Sequence, residues 1–129
     1  MENIHSSNPF YVYKAKVTDV YDGDTITVDI ELGFYTKLQD QKIRLYGINA
    51  PEMKGSDKMK GIEVRDWVRK EILGKEVVLK SIKDKNEKYG RLLGIILYTN
   101  DNYLKENIET EEFYNLNHKL IEMGYGKNY

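Results

Sequence analysis

The chain has 129 residues and a mass of 15.2 kDa, enough for one domain with a single core. With 40% hydrophobic and 32% charged residues it is too apolar for a disordered chain, and no stretch approaches membrane-spanning length. Cysteine is absent, which excludes disulfides, thiolate metal sites and a cysteine nucleophile, and the net charge of −1 argues against a uniformly basic nucleic-acid binder.

In chain order the pattern begins with strands. The first residues, MENIHSSNPF, carry no basic stretch and no apolar run. No signal peptide is expected, a cytoplasmic location is the expectation, and residues 1–9 are expected to be flexible. From Phe10 to Val20 the alternation of Tyr11, Tyr13, Ala15 and Val17 predicts a half-buried strand. Tyr21-Asp22-Gly23-Asp24 predicts a tight turn, and Thr25 to Leu32 resumes alternation through Ile26, Val28 and Ile30. A second turn starts at Gly33, and Gln41 to Ile48 predicts the third strand of a meander. Within it Ile43 and Leu45 face one way, and Arg44, Tyr46 and Ile48 the other.

A polar loop follows Pro51. Val64, Trp67, Val68 and Ile72 then recur at helical spacing, predicting a helix over Lys60 to Leu73 with Gly74 as its stop and Trp67 in the core. Glu76 to Ile82 predicts a fourth strand, and Leu92 to Tyr98, a dense apolar run, a buried fifth. Phe113, Leu116, Leu120 and Met123 predict a short second helix ending at Gly124, with Tyr125 to Tyr129 as a tail. The whole chain, 1–129, reads as one domain. Mainly β with α, its element order predicts a five-stranded Greek-key barrel of the oligonucleotide-binding type (OB-fold). One helix lies between strands 3 and 4 and another is C-terminal. A flat antiparallel sheet with two helices on one face is the alternative.

Three stretches carry the chemistry. Asp22-Gly23-Asp24-Thr25 puts two carboxylates at a hairpin, oxygen donors that suit a hard cation, although such a stretch alone is commonly just a turn. Lys42 to Glu52 starts as a strand and ends as a loop. Arg44 sits inside an apolar alternation, where it needs an anion or carboxylate partner, and Pro51 stiffens a loop bearing Asn49 and Glu52. The third stretch, Glu87-Lys88-Tyr89-Gly90-Arg91, delivers an arginine at the mouth of the fifth strand. The charge is uneven in a way that bears on these stretches. Between Lys37 and Arg91 there are 15 Lys and Arg against 9 Asp and Glu, so the middle of the chain could form a phosphate-tracking face.

In order and spacing, DGDT (Asp22–Thr25), RLYGINAPE (Arg44–Glu52) and EKYGR (Glu87–Arg91) resemble the thermonuclease (staphylococcal nuclease-like) family. Gly61, Val64 and Trp67 on the first helix fit that pattern, as do Asn117, Leu120 and Gly124 on the second. The resemblance implies a calcium-dependent nuclease that hydrolyses DNA and RNA phosphodiester bonds and leaves 3′-phosphates. It implies that Asp24 is a Ca2+ carboxylate and that Asn49 and the backbone carbonyl of Ala50 complete the metal site. It further implies Glu52 as the general base and Arg44 and Arg91 as phosphate-binding arginines.

Those roles are chemically coherent. A phosphodiester is anionic, and two arginines with a cation favour its five-coordinate transition state, while a carboxylate takes a proton from water. The chain departs from the family pattern at Asn49, a neutral amide where a carboxylate is usual, and in its slightly acidic charge. DNA or RNA is the expected partner, with no membrane and no protein partner, on a monomer. The alternative is a non-catalytic nucleic-acid or peptide-binding domain on the same barrel. A weaker one is an interaction domain using the tyrosines around Tyr11, Tyr13, Tyr98 and Tyr103.

Overall fold

A computed structural model describes residues 10–86, 91–107 and 111–128. The expectation for residues 1–9 and the Glu87–Gly90 part of the third motif lie outside the described residues. The elements in chain order are β1 (Phe10–Asp22), β2 (Thr25–Gly33), β3 (Thr36–Leu45), β4 (Ile48–Asn49), α1 (Lys58–Ile72), β5 (Glu76–Asn86), β6 (Leu92–Tyr98), β7 (Tyr114–Asn115), α2 (Leu116–Glu122) and β8 (Lys127–Asn128).

Five long strands close a barrel in the order β3-β2-β1-β5-β6, and a parallel pairing of β3 with β6 joins the two ends. The other pairings around the barrel are antiparallel. The result is the predicted mainly-β OB-type barrel with two helices, not the flat sheet. Closure leaves no long open sheet edge, and the apolar face of every strand turns inward. Ala15, Val17, Val20, Ile26, Val28, Ile43, Leu45, Val77, Leu79 and Ile96 fill the interior. Strict alternation along β1 would put residue 19 inside after Val17; a register shift between Val17 and Asp19 instead delivers Val20 to the core and leaves Asp19 exposed.

Helix α1 buries Gly61, Val64, Val68 and Ile72 at helical spacing against the barrel. Its C-terminus stops at Gly74, whose φ of 79° is the left-handed conformation expected there and whose N–H donates to the Val17 carbonyl at 2.9 Å. The Arg69 guanidinium donates to the Val20 carbonyl at 3.0 and 3.3 Å, tying the helix to the end of β1. Trp67 is half-buried, packed on the core rather than inside it. No helix among the described residues is long and apolar enough to cross a membrane.

The main differences from the sequence reading lie at β3, at the second helix and in the tail. β3 begins at Thr36, not Gln41, because a bulge interrupts its alternation: Val28 pairs with Gln41 but Ile30 with Leu38. Asp40 takes a φ of 55° at that bulge, and its N–H donates to Asp29 Oδ1 at 3.0 Å. β3 ends at Leu45, not Ile48, since Gly47 turns the chain with a φ of 77°. That turn resets the parity, so Ile48 is buried in the core instead of facing outward with Arg44. Phe113 and Met123 are not on the second helix; Phe113 is buried ahead of β7 with Val78 and Leu97, and Met123 is the exposed C-cap. The tail is not loose either. β8 pairs with β4, and Tyr125 N–H and Gly126 N–H both donate to the Leu120 carbonyl.

Candidate active site

The first hairpin turn is built to be compact. Asp24 N–H donates to the Asp22 carboxylate at 3.1 Å, a local side-chain turn that aspartate forms readily. Gly23 is buried, and a Cβ there would stand 2.5 Å from Val64 Cγ1 and 2.8 Å from Ala50 Cβ. Only glycine lets the turn press against both α1 and the loop after β4. That close approach puts the Asp24 carboxylate, almost fully buried, under the loop.

Asp24 then organises its surroundings. Its Oδ2 accepts the Ala50 N–H at 2.8 Å and lies 3.2 Å from Arg44 Nη1; its Oδ1 accepts the Thr25 hydroxyl at 3.2 Å. The Asp24 and Arg44 side chains are only 10% and 12% exposed, so this ion pair is poorly screened. Arg44 Nη1 also donates to the Ile48 carbonyl at 2.7 Å, and Nη2 to Asn49 Oδ1 at 3.5 Å. The partner that Arg44 requires inside an apolar strand is therefore Asp24, reached across the Thr25–Arg44 pair of the ladder.

Arg91 immediately precedes β6, which pairs with β3 where the barrel closes. Its Nη1 donates to Thr25 Oγ1 at 3.0 Å, placing it on the same hairpin as the Asp24–Arg44 pair. Asn117 holds the loop from below: buried in α2, its Nδ2 donates to the Tyr46 and Gly94 carbonyls at 2.8 and 3.2 Å, and its Oδ1 accepts the Ile96 N–H at 3.2 Å. One side chain thus locks the end of β3, β6 and α2 together.

Glu52 is exposed on the loop beyond Pro51. It lines a surface cleft with Tyr21, Asp22, Met53 and Lys54, so it stands across from the acidic turn. Its backbone carbonyl lies against Gly61, where a Cβ would collide with it and crowd the Pro51 carbonyl. Gly61 therefore sets how closely the Glu52 loop approaches α1.

Burial pushes the Asp22 carboxyl up, to about 6, and a hydrogen bond and like charge from Asp24 add to the shift. Two crowded carboxylates of this kind favour a cation beside them. The donor set near Asp24 is all oxygen, which fits a hard ion such as calcium in kind. It is sparse in charge: among the described residues no three Asp, Glu, His or Cys side chains converge as a metal cluster. The Ala50 contact with Asp24 is made by its N–H, whereas the resemblance implies a role for its carbonyl.

The structure thus brings Asp24, Arg44, Asn49, Ala50 and Arg91 together and places Glu52 on the adjoining rim. Sequence reasoning gave no site role to Thr25 or Asn117, and named Asp22 only as one of the two carboxylates at the hairpin. The signal for Thr25 was its place in the DGDT stretch. For Asn117 it was a polar residue on the apolar face of a short helix.

Residues 42–129 match the family model described as staphylococcal nuclease homologue, more than half of the chain. The chain is also similar to the uncharacterized protein MJ1439 of Methanocaldococcus jannaschii, 28% identical over 138 aligned positions covering 91% of this chain. It spans 59% of that relative's length. With the barrel, both helices and the matched residues in agreement, the chain belongs to the staphylococcal nuclease homologue family.

Proposed function

We propose that the protein is a calcium-dependent nuclease that hydrolyses phosphodiester bonds in DNA or RNA and leaves 3′-phosphates. One observation carries this reading: two arginines far apart in sequence meet on one acidic turn, Arg44 at Asp24 Oδ2 and Arg91 at Thr25 Oγ1. A scissile phosphate bound there meets two guanidinium groups. Each can donate to non-bridging oxygens, with the larger gain when charge builds in the five-coordinate transition state. Arg91 Nη1 donates to a hydroxyl and Arg44 Nη2 to an amide oxygen at 3.5 Å, neutral acceptors weaker than a phosphate oxygen. Glu52, exposed on a stiff loop, takes the proton of the attacking water. Asp24, with Asn49 and the Ala50 carbonyl, would hold calcium, which when bound supplies positive charge beside the phosphate.

The test is digestion of single-stranded DNA and of RNA with calcium, with and without chelator, alongside Glu52→Gln. Cleavage that stops with chelator, and a turnover number that falls in Glu52→Gln while calcium binding is retained, are expected. Loss of thermal stability in Glu52→Gln with unchanged turnover would instead make Glu52 a structural partner.

One observation favours a second reading, a binding domain without catalysis. Arg44 Nη1 is already engaged by the Ile48 carbonyl and Asp24, and Asn49 withholds the charge that a tighter metal site needs. Oligonucleotide binding with no cleavage at any calcium concentration selects that reading.

A further inference from the structure

The end of the β2–β3 hairpin away from the candidate active site combines a projecting pair of rings with an apolar hollow. At the turn, the Phe34 and Tyr35 side chains stand clear of the other described residues, and both residues take left-handed φ values. Bulky residues are costly there, where Asn and Gly form the same turn without strain. Strain kept at so exposed a position points to a role outside the fold. Beside the turn, all five barrel strands contribute to a cavity of about 210 Å³ at the barrel mouth, walled by residues that include Tyr11, Tyr13, Leu32, Leu38, Ile82 and Leu92. We propose that this end is a homodimer interface, in which the Phe34–Tyr35 turn of each copy inserts a ring into the barrel mouth of the other. It does not depend on the nuclease reading.

Size, shape, area and charge argue for a second copy of this chain. Roughly 150 Å³ of apolar space is enough for a benzene ring, so the cavity admits a phenyl or phenol ring. The rings and the hollow are neighbours on one surface, because Leu32 and Leu38 both flank the turn and line the cavity. A two-fold axis between them satisfies both copies in one contact, as isologous dimers require. Tyr11, Leu32 and Leu38 are each close to half exposed. With the two rings they present roughly 600 Å² of apolar surface per copy, the upper limit for a patch left in water and somewhat less than a standard interface side. That area fits a weak, concentration-dependent dimer. Charge selects protein over nucleic acid or lipid. From Asp29 to Lys42 there are three carboxylates and two lysines, so no cationic collar awaits a phosphate or an anionic headgroup. Glu31 lies opposite Lys37 beside the turn, so two copies meet there without net repulsion.

Sedimentation velocity on the full chain, from about 1 to 500 μM, reads the mass directly. Expected is one chain at the lowest concentration and a growing share of dimer toward the highest. Phe34→Asn with Tyr35→Gly removes the rings and leaves a favourable turn; it should weaken association by about a hundredfold or more. Leu38→Glu keeps the rings but sets a charge at the hollow, and it should weaken association as much; Leu38 is exposed, so this variant folds even if the turn variant does not. Mixing the two variants should restore part of the association, because each supplies what the other lacks. A single-chain mass at every concentration overturns the proposal. If the turn variant of that monomer also binds oligothymidylate less tightly than the parent, the rings belong to nucleic acid instead. A dimer that persists undiminished in either variant overturns the ring-in-barrel contact and places the interface elsewhere.

Discussion

The two ends of the β2–β3 hairpin obey opposite rules. At one end Thr25 pairs with Arg44, and the Asp24 and Arg44 side chains are almost buried, joined to each other and to the loop above. At the other end, eight residues along β2 and about 26 Å away, Gly33 pairs with Thr36 around Phe34 and Tyr35. Those two aromatics are fully exposed, at 98% and 108%, with φ values of 53° and 60°. A two-residue turn with both φ positive favours Asn and Gly, and bulky residues there are strained. The polar end is over-determined by contacts; the apolar end is held only by the strands it joins. The difference shows that burial, not residue type, decides which end of this hairpin is tied down by side-chain contacts.

The largest effect should come from the polar end. Arg91→Ala is expected to lower cleavage by about 10² to 10³-fold, the usual cost of one transition-state donor, while losing no more than about 1 kcal/mol of stability with the Thr25 contact. Steady-state kinetics on folded protein decide it, and an unchanged rate would remove Arg91 from the site. Asp24→Ala should unfold with a loss of about 3 kcal/mol in chemical denaturation, because it takes the carboxylate from a nearly dry arginine. A loss below about 0.5 kcal/mol would mean that water screens this pair as it does surface bridges.

Asn49→Asp should raise calcium affinity by about tenfold, part of the added charge being offset by repulsion from Asp24 in the metal-free protein. Calorimetric titration of parent and variant is the measurement. Equal affinities would place Asn49 away from the ion.

Asp22 gives a pH signature. Its folded pKa of about 6 lies above the ordinary 3.8, so the folded state holds the proton more tightly than the unfolded chain. Its contribution to stability is complete below about pH 4 and is lost as pH rises through about 6. Because the group is partly exposed, the loss should be only about 1 kcal/mol. Denaturation in chelator at pH 4 to 7.5 should show it, and Asp22→Asn should remove that part of the slope and gain stability at pH 7.5. A parallel slope in the variant would assign the pH dependence to other groups.

The smallest change tests the apolar end. Phe34→Asn with Tyr35→Gly should raise stability by about 1 kcal/mol by relieving the left-handed strain, with cleavage unaltered. A fall in activity would show that the exposed aromatics contact substrate.

Local pattern alone determined most of the elements. Alternation marks β1, β2 and β5 and helical spacing marks α1, because the period of apolar residues reports which face must be buried. The order of DGDT, RLYGINAPE and EKYGR was enough to point to the family, since each stretch keeps its residue types at close spacing. Tertiary structure decided the rest. Ile48 turned inward because Gly47 broke the strand, an event that a two-residue period does not contain. Asp24 found Ala50 and Arg44 because Gly23 and Gly61 have no Cβ to hold the turn, the loop and α1 apart. The last residues docked because Gly126 fits against Ile48 and β8 found β4. Periodicity records how a residue relates to its neighbours in the chain. Which buried carboxylate meets which arginine depends on approach distances between segments far apart in sequence, and those exist only once the barrel has closed.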